Sequence, residues 1–211
     1  MPRIIDLTVS EFTRQLAAEQ PTPGGGSAAA LTGALAACLV CMVCAYTIGR
    51  ERYRDVDKVA RRLLARAQEL QGDFERATDA DAAAYQGFAD AQRWPRGDQR
   101  QRAARSAAMQ RALRESTDVP LGVAAAAGEL VGLAHVAAEI ANESLISDAA
   151  VAASLAFAAF QSARLHVELN AAGITDQAVA QAARERLALA GRAEDLELIV
   201  RCTHSLACRT P

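Results

Sequence analysis

Residues 21–49 read PTPGGGSAAALTGALAACLVCMVCAYTIG and join a glycine loop to a long apolar run. Two prolines stiffen its approach, and the glycines at 24–26 permit backbone angles and close contacts that a side chain would forbid. Ser27 is predicted to cap the N-terminus of the helix that follows. Several free backbone N–H groups then point out of one small loop, which suits an anion, a carboxylate or a flat polar ligand. The alternative is a glycine hinge between two helices.

The apolar run from Ala28 to Ile48 contains no charged residue. At ~1.5 Å per residue such a helix is long enough to span a bilayer. Its composition of Ala, Gly, Cys and Thr, with few Leu, Ile or Phe, makes insertion only weakly favourable. A helix that is apolar on all sides is equally expected at the centre of a soluble bundle. We interpret the run as the core helix and expect no membrane partner.

The composition indicates an all-α protein. Of 211 residues, 51% are hydrophobic and only 4% aromatic, and the good helix formers Ala, Leu, Arg, Glu and Gln dominate. We therefore predict a single domain over residues 1–211, an all-α bundle of six or seven helices. A net charge of −2 argues against a nucleic-acid partner. The N-terminus has no signal-peptide pattern, so we expect a cytoplasmic protein whose cysteines are reduced.

Helix boundaries follow from hydrophobic periodicity and from breaker residues. Pro120 is expected in the first turn of a helix, and Ser147 is expected to be the N-cap of another. The predicted helices cover residues 4–19, 27–49, 54–93, 99–116, 119–140, 147–169 and 175–207.

Two groups of residues have spacings that resemble metal sites. Three cysteines lie three apart between residues 38 and 44, but on a helix such steps rotate the thiols around the axis. His135, Glu139 and Glu143 lie four apart on one ridge, a pattern that an ordinary solvated face also produces. Because no second ligand-bearing helix is evident, we expect no metal site.

Two charged segments are candidates for chemistry. Asp79 and Asp81 lie two residues apart and therefore point in different directions from their helix. Alanines and Tyr85 follow Asp81, and a carboxylate in such apolar surroundings is a candidate for proton transfer; the alternative is a pair of ordinary exposed acids. Between Arg93 and Arg114 lie seven arginines, which we interpret as a solvated surface that also attracts an anionic substrate.

Taken in order, several segments resemble the cyclodeaminase domain of formimidoyltransferase-cyclodeaminase and its stand-alone relatives, the methenyltetrahydrofolate cyclohydrolases. The resemblance extends from about Leu7 to Gly173. The matching segments are Pro21 to Ser27, Met42-Val43 through Thr47-Ile48-Gly49, Tyr53, Asp81-x-x-Ala84-Tyr85, Pro95-Arg96, Arg105, Gln110-x-Ala112-Leu113, Val119-Pro120-Leu121, Asn142 and Ile146-Ser147-Asp148.

The resemblance implies a homodimer that binds a tetrahydrofolate derivative in a groove near the subunit interface, with Asp81 as the catalytic acid and base. No cofactor is implied beyond the tetrahydrofolate substrate itself. The cyclohydrolase branch opens the ring of 5,10-methenyltetrahydrofolate with water, whereas the cyclodeaminase branch closes that ring with loss of ammonia. The lack of an amino-terminal transferase domain favours the cyclohydrolase. The alternatives are a formimidoyltetrahydrofolate cyclodeaminase and a non-catalytic folate-binding dimer.

The resemblance also implies a set of substrate-binding residues. The glycine loop would offer N–H and hydroxyl donors, and arginines would bind glutamyl carboxylates. The pterin edges would be bound by Asn142, Ser147 and Asp148; for the last two the alternative is simple helix capping. His166 stands where relatives usually carry Asn. The set comprises Pro23, Gly24, Gly25, Gly26, Ser27, Arg50, Arg52, Arg105, Asn142, Ser147, Asp148, His166 and Asn170.

Overall fold

The computed structural model describes residues 3–140 and 143–191. The regular structure in this part of the chain is entirely helical, without a strand, and the all-α prediction is confirmed. It contains six α-helices and three short 3₁₀ helices. The α-helices are α1 (Val9–Leu16), α2 (Gly25–Thr47), α3 (Asp57–Gln92), α4 (Gln99–Ile140), α5 (Ile146–Gly173) and α6 (Gln177–Ala190), and the 3₁₀ helices are Ile4–Asp6, Glu51–Val56 and Glu143–Leu145.

Helices α2 to α5 form an up-down-up-down four-helix bundle, in which each helix packs against the next and α5 packs back on α2. Cross-helix contacts fix the antiparallel order: Gly26 of α2 meets Asp81 of α3, and Gln110 of α4 donates to the carbonyl of Gly173 at the end of α5. Helix α6 packs on α4 and α5, and the first 3₁₀ helix packs on α3. The bundle therefore has two distinct ends, one of which carries the glycine loop.

Small side chains dominate the core of the bundle. Alanines from α2, α4 and α5 are almost fully buried, and they allow the helices to approach closely. The ring of Phe74 occupies the space where a Cβ at Gly33 would lie. Helix α2 contributes to this core as predicted, although it leaves Leu35 and Tyr46 about half exposed.

Three helices, α2, α4 and α5, are long and apolar enough to cross a membrane by length and composition. The apolar pattern of the sequence predicts only the first of these as a candidate membrane span. Half of each apolar stretch is buried inside the bundle, so much of this apolar surface packs against other helices of the same chain.

Residues 99–140 form one continuous helix, so the predicted break before Pro120 is wrong. Proline has no N–H, and it therefore leaves the carbonyl of Ser116 without its helical donor. The Nδ2 group of Asn170, on α5, lies 3.3 Å from that carbonyl oxygen and donates to it. Pro120 itself is buried, and the neighbouring helix supplies the hydrogen bond that a proline removes.

Both predicted serine caps are also wrong. Helix α2 begins at Gly25, with Gly24 as its N-cap, and Ser27 therefore lies inside the first turn. Helix α5 begins at Ile146 after Leu145, because the preceding 3₁₀ turn leads directly into it, and Ser147 is again in the first turn. The predicted last helix is observed up to Ala190; its continuation over residues 192–207 lies outside the described residues.

Candidate functional site

The first turn of α2 presents backbone donors at one end of the bundle. The N–H groups of Gly25, Gly26 and Ser27 occupy the first three helical positions, where a helix offers no internal acceptor. The peptide bond before the buried Pro23 is cis. The positive end of the helix dipole lies at the same place, so this end of the bundle attracts carboxylate and carbonyl oxygens.

The carboxylate of Asp81 rests directly on this turn. The fully buried Ser27 donates its hydroxyl to Oδ2 of Asp81 over 2.9 Å. A Cβ added at Gly26 would fall within 3.0 Å of Cγ and of both carboxylate oxygens, and only glycine leaves room for this contact. The Gly-Ser pair therefore holds the Asp81 carboxylate in place.

Asp79 has a different, structural role. Its Oδ1 accepts a hydrogen bond from the backbone N–H of Ile4 at 2.6 Å, and its Oδ2 accepts one from Nε of Arg3 at 3.0 Å. It therefore fastens the N-terminal 3₁₀ helix to α3. The two acids point in different directions, as their spacing predicts, and Asp81 is the one that reaches the glycine loop.

His166 approaches the same turn from α5. Its Nε2 lies 3.1 Å from where a Cβ at Gly25 would stand, and the side chain is half-buried. Asp81 and His166 thus flank the first turn of α2 from two neighbouring helices. Asn170, one turn further along α5, donates instead to the Ser116 carbonyl, so its amide nitrogen is engaged in holding α5 to α4.

Four predicted binding residues lie at the opposite end of the bundle. Arg50 and Arg52 follow the C-terminus of α2, and its 23 residues separate them from the glycine loop by about 34 Å. Ser147 and Asp148 begin α5, at the end remote from His166. Within one chain the structure does not bring these residues to Asp81. Asn142 lies outside the described residues.

Arg105 lies beyond the glycine-loop end, near the start of α4. Its Nε donates to the backbone carbonyl of Gln92 at 2.9 Å, close to the C-terminus of α3. Eleven residues separate Gln92 from Asp81, or about 16 Å along the helix axis. Arg105 is therefore on the same side of the molecule as Asp81 but not in contact with it.

The two metal-like spacings do not form a metal-ligand cluster within the described residues, where no three His, Cys, Asp or Glu side chains converge. His135 pairs with Glu139 at 3.4 Å, and the side chain of Glu143 is outside the described part. Burial raises the pKa of Cys41 and Cys44 to about 11. These thiols therefore stay protonated at neutral pH and act as small apolar side chains.

Two cavities of about 330 Å³ lie between α3 and α4 and between α4 and α6. Neither is lined by Asp81 or by the glycine loop. The site around Asp81 at the end of the bundle is therefore separate from these two cavities.

Comparison with known proteins relates this geometry to one family. The family model described as formiminotransferase-cyclodeaminase matches residues 8–189. A methenyltetrahydrofolate cyclohydrolase from Methylorubrum extorquens is 39% identical over 174 residues, which cover 82% of this chain and 84% of that protein. A formimidoyltransferase-cyclodeaminase from Rattus norvegicus is 31% identical over 184 residues, or 87% of this chain. This chain spans only 34% of that longer relative.

A solved structure has the same fold. The crystal structure of formiminotetrahydrofolate cyclodeaminase from Thermotoga maritima aligns with a TM-score of 0.79 and 27% identity, covering 93% of this chain and 92% of that one. The resemblance noted in the sequence is therefore confirmed over nearly the whole described bundle. The chain belongs to the formiminotransferase-cyclodeaminase family of folate-metabolising enzymes.

Proposed function

We propose that the protein is a methenyltetrahydrofolate cyclohydrolase, which hydrolyses 5,10-methenyltetrahydrofolate to 10-formyltetrahydrofolate with no cofactor beyond the folate. The observation that carries the proposal is the Asp81 carboxylate, held by Ser27 against the first turn of α2. The 39% identical relative bears the cyclohydrolase name and matches over 84% of its length, which favours ring opening over ring closure.

In this reaction Asp81 acts first as the general base and then as the general acid. Water attacks the cationic amidinium carbon of the substrate, and the carboxylate accepts a proton from that water as the C–O bond forms. The product of this step is a neutral tetrahedral carbinol between N5 and N10. Asp81 then returns the proton to N5 as the C–N5 bond breaks, the hydroxyl proton leaves to solvent, and the formyl group remains on N10. A carboxylate also stabilises the cationic substrate before attack.

The groups around Asp81 support this role by positioning. The Ser27 hydroxyl engages Oδ2, which fixes the carboxylate rotamer and leaves Oδ1 over Gly26. The free N–H groups of the first turn of α2 offer donors for an oxygen of the pterin ring. His166, on the other side of that turn, bounds the site and provides a second polar contact for the ring.

A second candidate is the cyclodeaminase reaction, which closes the same ring. The structural neighbour from Thermotoga maritima carries that name. Both reactions pass through a tetrahedral carbon between two nitrogens, and both need one group that moves a proton. Asp81 would serve either direction.

A product assay with both substrates distinguishes the candidates. Purified protein is given 5,10-methenyltetrahydrofolate or 5-formiminotetrahydrofolate, and the methenyl absorbance and released ammonia are followed. We expect enzyme-dependent loss of the methenyl absorbance. Asp81→Asn should lower kcat by roughly 10²- to 10⁴-fold, whereas Asp73→Asn, an exposed acid on the same helix, should not. Equal rates for wild type and Asp81→Asn would refute the mechanism.

We also propose that the enzyme is a homodimer whose site is shared between subunits. Apolar side chains project from α2 and α5 into solvent; they include Leu35, Tyr46, Val151, Leu165 and Leu169, each at least half exposed. A two-fold axis perpendicular to α2 near its middle would make the two copies of α2 antiparallel. The end of one subunit where α2 stops and α5 begins would then lie beside the glycine-loop end of the other. Arg50, Ser147 and Asp148 of the partner would then approach Asp81, which accounts for predicted binding residues at both ends of one chain.

A further inference from the structure

Two titratable side chains approach the first turn of α2 from different helices. The carboxylate of Asp81, on α3, lies within 3.0 Å of the point where a Cβ at Gly26 would stand. The Nε2 atom of His166, on α5, lies 3.1 Å from the corresponding point at Gly25. Since the Cα atoms of consecutive residues are about 3.8 Å apart, an acid and an imidazole flank one short stretch of backbone.

The tip of the His166 imidazole points at this turn. Nε2 is the ring atom closest to the Cβ position of Gly25, followed by Cε1 at 3.5 Å. The ring is half-buried and follows directly before the fully buried Val167, and no described residue forms a hydrogen bond with it. A neutral imidazole nitrogen in this position can accept a hydrogen bond or a proton from a bound molecule.

The turn between the two groups is uncharged, because α2 contains no charged residue. On the other sides of His166, two ion pairs join α6 to its neighbours, Asp118 with Arg186 and Glu168 with Arg184. The charged residues that α4, α5 and α6 carry at this level are Glu115, Asp118, Arg164, Glu168, Arg184 and Arg186. Asp81 is the acid that shares the turn with His166.

The proposed ring opening leaves one proton without an acceptor in the protein. As the C–N5 bond of the tetrahedral carbinol breaks, Asp81 gives its proton to N5, and the hydroxyl group must lose its own proton to become the formyl carbonyl. We propose that neutral His166 is the general base that takes this hydroxyl proton at Nε2 and then releases it to solvent. This inference rests on the proposed function. Charge is balanced, since the cationic substrate and one water yield the neutral formyl product and one released proton.

The hydrogen bond to Asp81 explains why a second group is needed. A carboxylic acid can donate from one oxygen while it accepts at the other, and it could then move both protons by itself. Here Oδ2 already accepts the Ser27 hydroxyl over 2.9 Å, which leaves Oδ1 for one proton transfer at a time. His166 approaches the next residue of the turn, so a carbinol bound between the two groups would present N5 to one and its hydroxyl to the other.

The test compares wild type with His166→Asn and His166→Gln, whose amides can form hydrogen bonds but cannot take up a proton. We expect both variants to lower kcat for 5,10-methenyltetrahydrofolate by roughly 10²-fold, with little change in KM. The wild-type rate should fall as the pH drops from about 8 to 5, because protonated imidazole cannot accept a proton, and both variants should lack this dependence. His135→Asn, at the histidine of α4 that pairs with Glu139, is the control and should keep wild-type kinetics.

Chemical rescue separates proton transfer from positioning. His166→Ala should recover part of its kcat when imidazole is added to the assay, and urea unfolding shows whether each variant is folded. If the alanine variant does not fold, the pH dependence of the Asn and Gln variants decides.

Three outcomes would overturn the inference while leaving the proposed function intact. They are an unchanged kcat in His166→Asn, a loss that appears only in KM or keeps the wild-type pH dependence, and a folded His166→Ala that imidazole does not rescue. In the last two cases the ring would only position the folate. A wild-type protein that does not hydrolyse 5,10-methenyltetrahydrofolate would instead refute the proposed function itself.

Discussion

At the scale of single residues, the contact between Gly26 and Asp81 is the most constrained feature of the site. The carboxylate lies where any other residue at position 26 would place its Cβ. Ser27, the next residue, donates to the same carboxylate. Two adjacent positions of α2 therefore determine where one acid of α3 is held.

We predict that Gly26→Ala strongly lowers the catalytic rate and only weakly lowers the free energy of unfolding. The new methyl group would displace the carboxylate, and a displacement of about 1 Å can cost on the order of 10²-fold in rate. Steady-state kinetics and urea unfolding of the same preparation measure the two effects. Gly122→Ala is the matched control, since nothing lies near that position, and alanine should stabilise the helix by roughly 0.5–1 kcal/mol. Full activity in Gly26→Ala would contradict the assigned position of Asp81.

Part of this site was predictable from sequence. The glycines, and an acid followed by alanines and an aromatic, indicated where to look. The Ser27–Asp81 hydrogen bond joins residues 54 apart in the chain, and no local pattern relates them. Ser27 was interpreted as a cap because serine before an apolar run usually is one; here the helix begins earlier, and the hydroxyl bonds to another helix.

At the scale of helices, the proline in α4 shows how tertiary contacts override a local signal. The sequence around Pro120 predicted a new helix, because proline is tolerated in a first turn. The fold instead keeps one helix and satisfies the Ser116 carbonyl from Asn170. The same contact engages the amide nitrogen of Asn170, whose role in binding substrate stays a prediction.

This explanation predicts coupling between Asn170 and Pro120. Asn170→Ala should lower the free energy of unfolding by about 1 kcal/mol, the usual net contribution of a hydrogen bond, because the Ser116 carbonyl is only part-buried. In a Pro120→Ala background the backbone N–H of residue 120 can bond to the Ser116 carbonyl, so the cost should be smaller. A double-mutant cycle by urea unfolding measures the difference. Strict additivity of the two substitutions would show that the hydrogen bond has no such role.

The buried thiols of α2 predict a loss of stability at alkaline pH. In the unfolded chain a cysteine ionises near its ordinary pKa of 9.0, whereas burial raises the pKa of Cys44 to about 11. Between these values the unfolded state loses a proton that the folded state keeps, so the contribution of Cys44 to stability is constant below pH 9 and falls as the pH rises toward 11. Urea midpoints over this range should fall more steeply for wild type than for Cys44→Ala. Parallel curves would mean that Cys44 titrates alike in both states.

At the scale of the whole molecule, the residues found at each end of the bundle depend on a topology that could not be predicted from sequence patterns. Helix count and class were predictable from composition and periodicity. Composition and periodicity do not show which helix ends meet. The predicted site therefore joined the glycine loop with residues that one subunit places at the other end, namely Arg50, Arg52, Ser147 and Asp148. The proposed two-fold dimer would reunite them across the interface.

We predict that the protein sediments at twice its subunit mass and that Leu35→Glu shifts it to monomer. Leu35 is 52% exposed on α2, and a charge buried there in an apolar interface would be unpaired and costly. The shared site predicts that activity is lost along with the dimer. Val9→Glu, at an 82% exposed position on α1, is the control. A Leu35→Glu variant that stays dimeric would exclude this interface.

The alanine interior also restricts how such a protein can diverge over evolutionary time. Where neighbouring helices already meet through methyl groups such as those of Ala36, Ala124 and Ala153, the next smaller choice is glycine, which weakens a helix. Any larger choice forces the helices apart, at about 1–3 kcal/mol for each crowded position. Substitutions are then tolerated mainly on the outward-facing ridges and the connecting turns. Related proteins would therefore acquire new specificities at the surface, while the residues of the core change little.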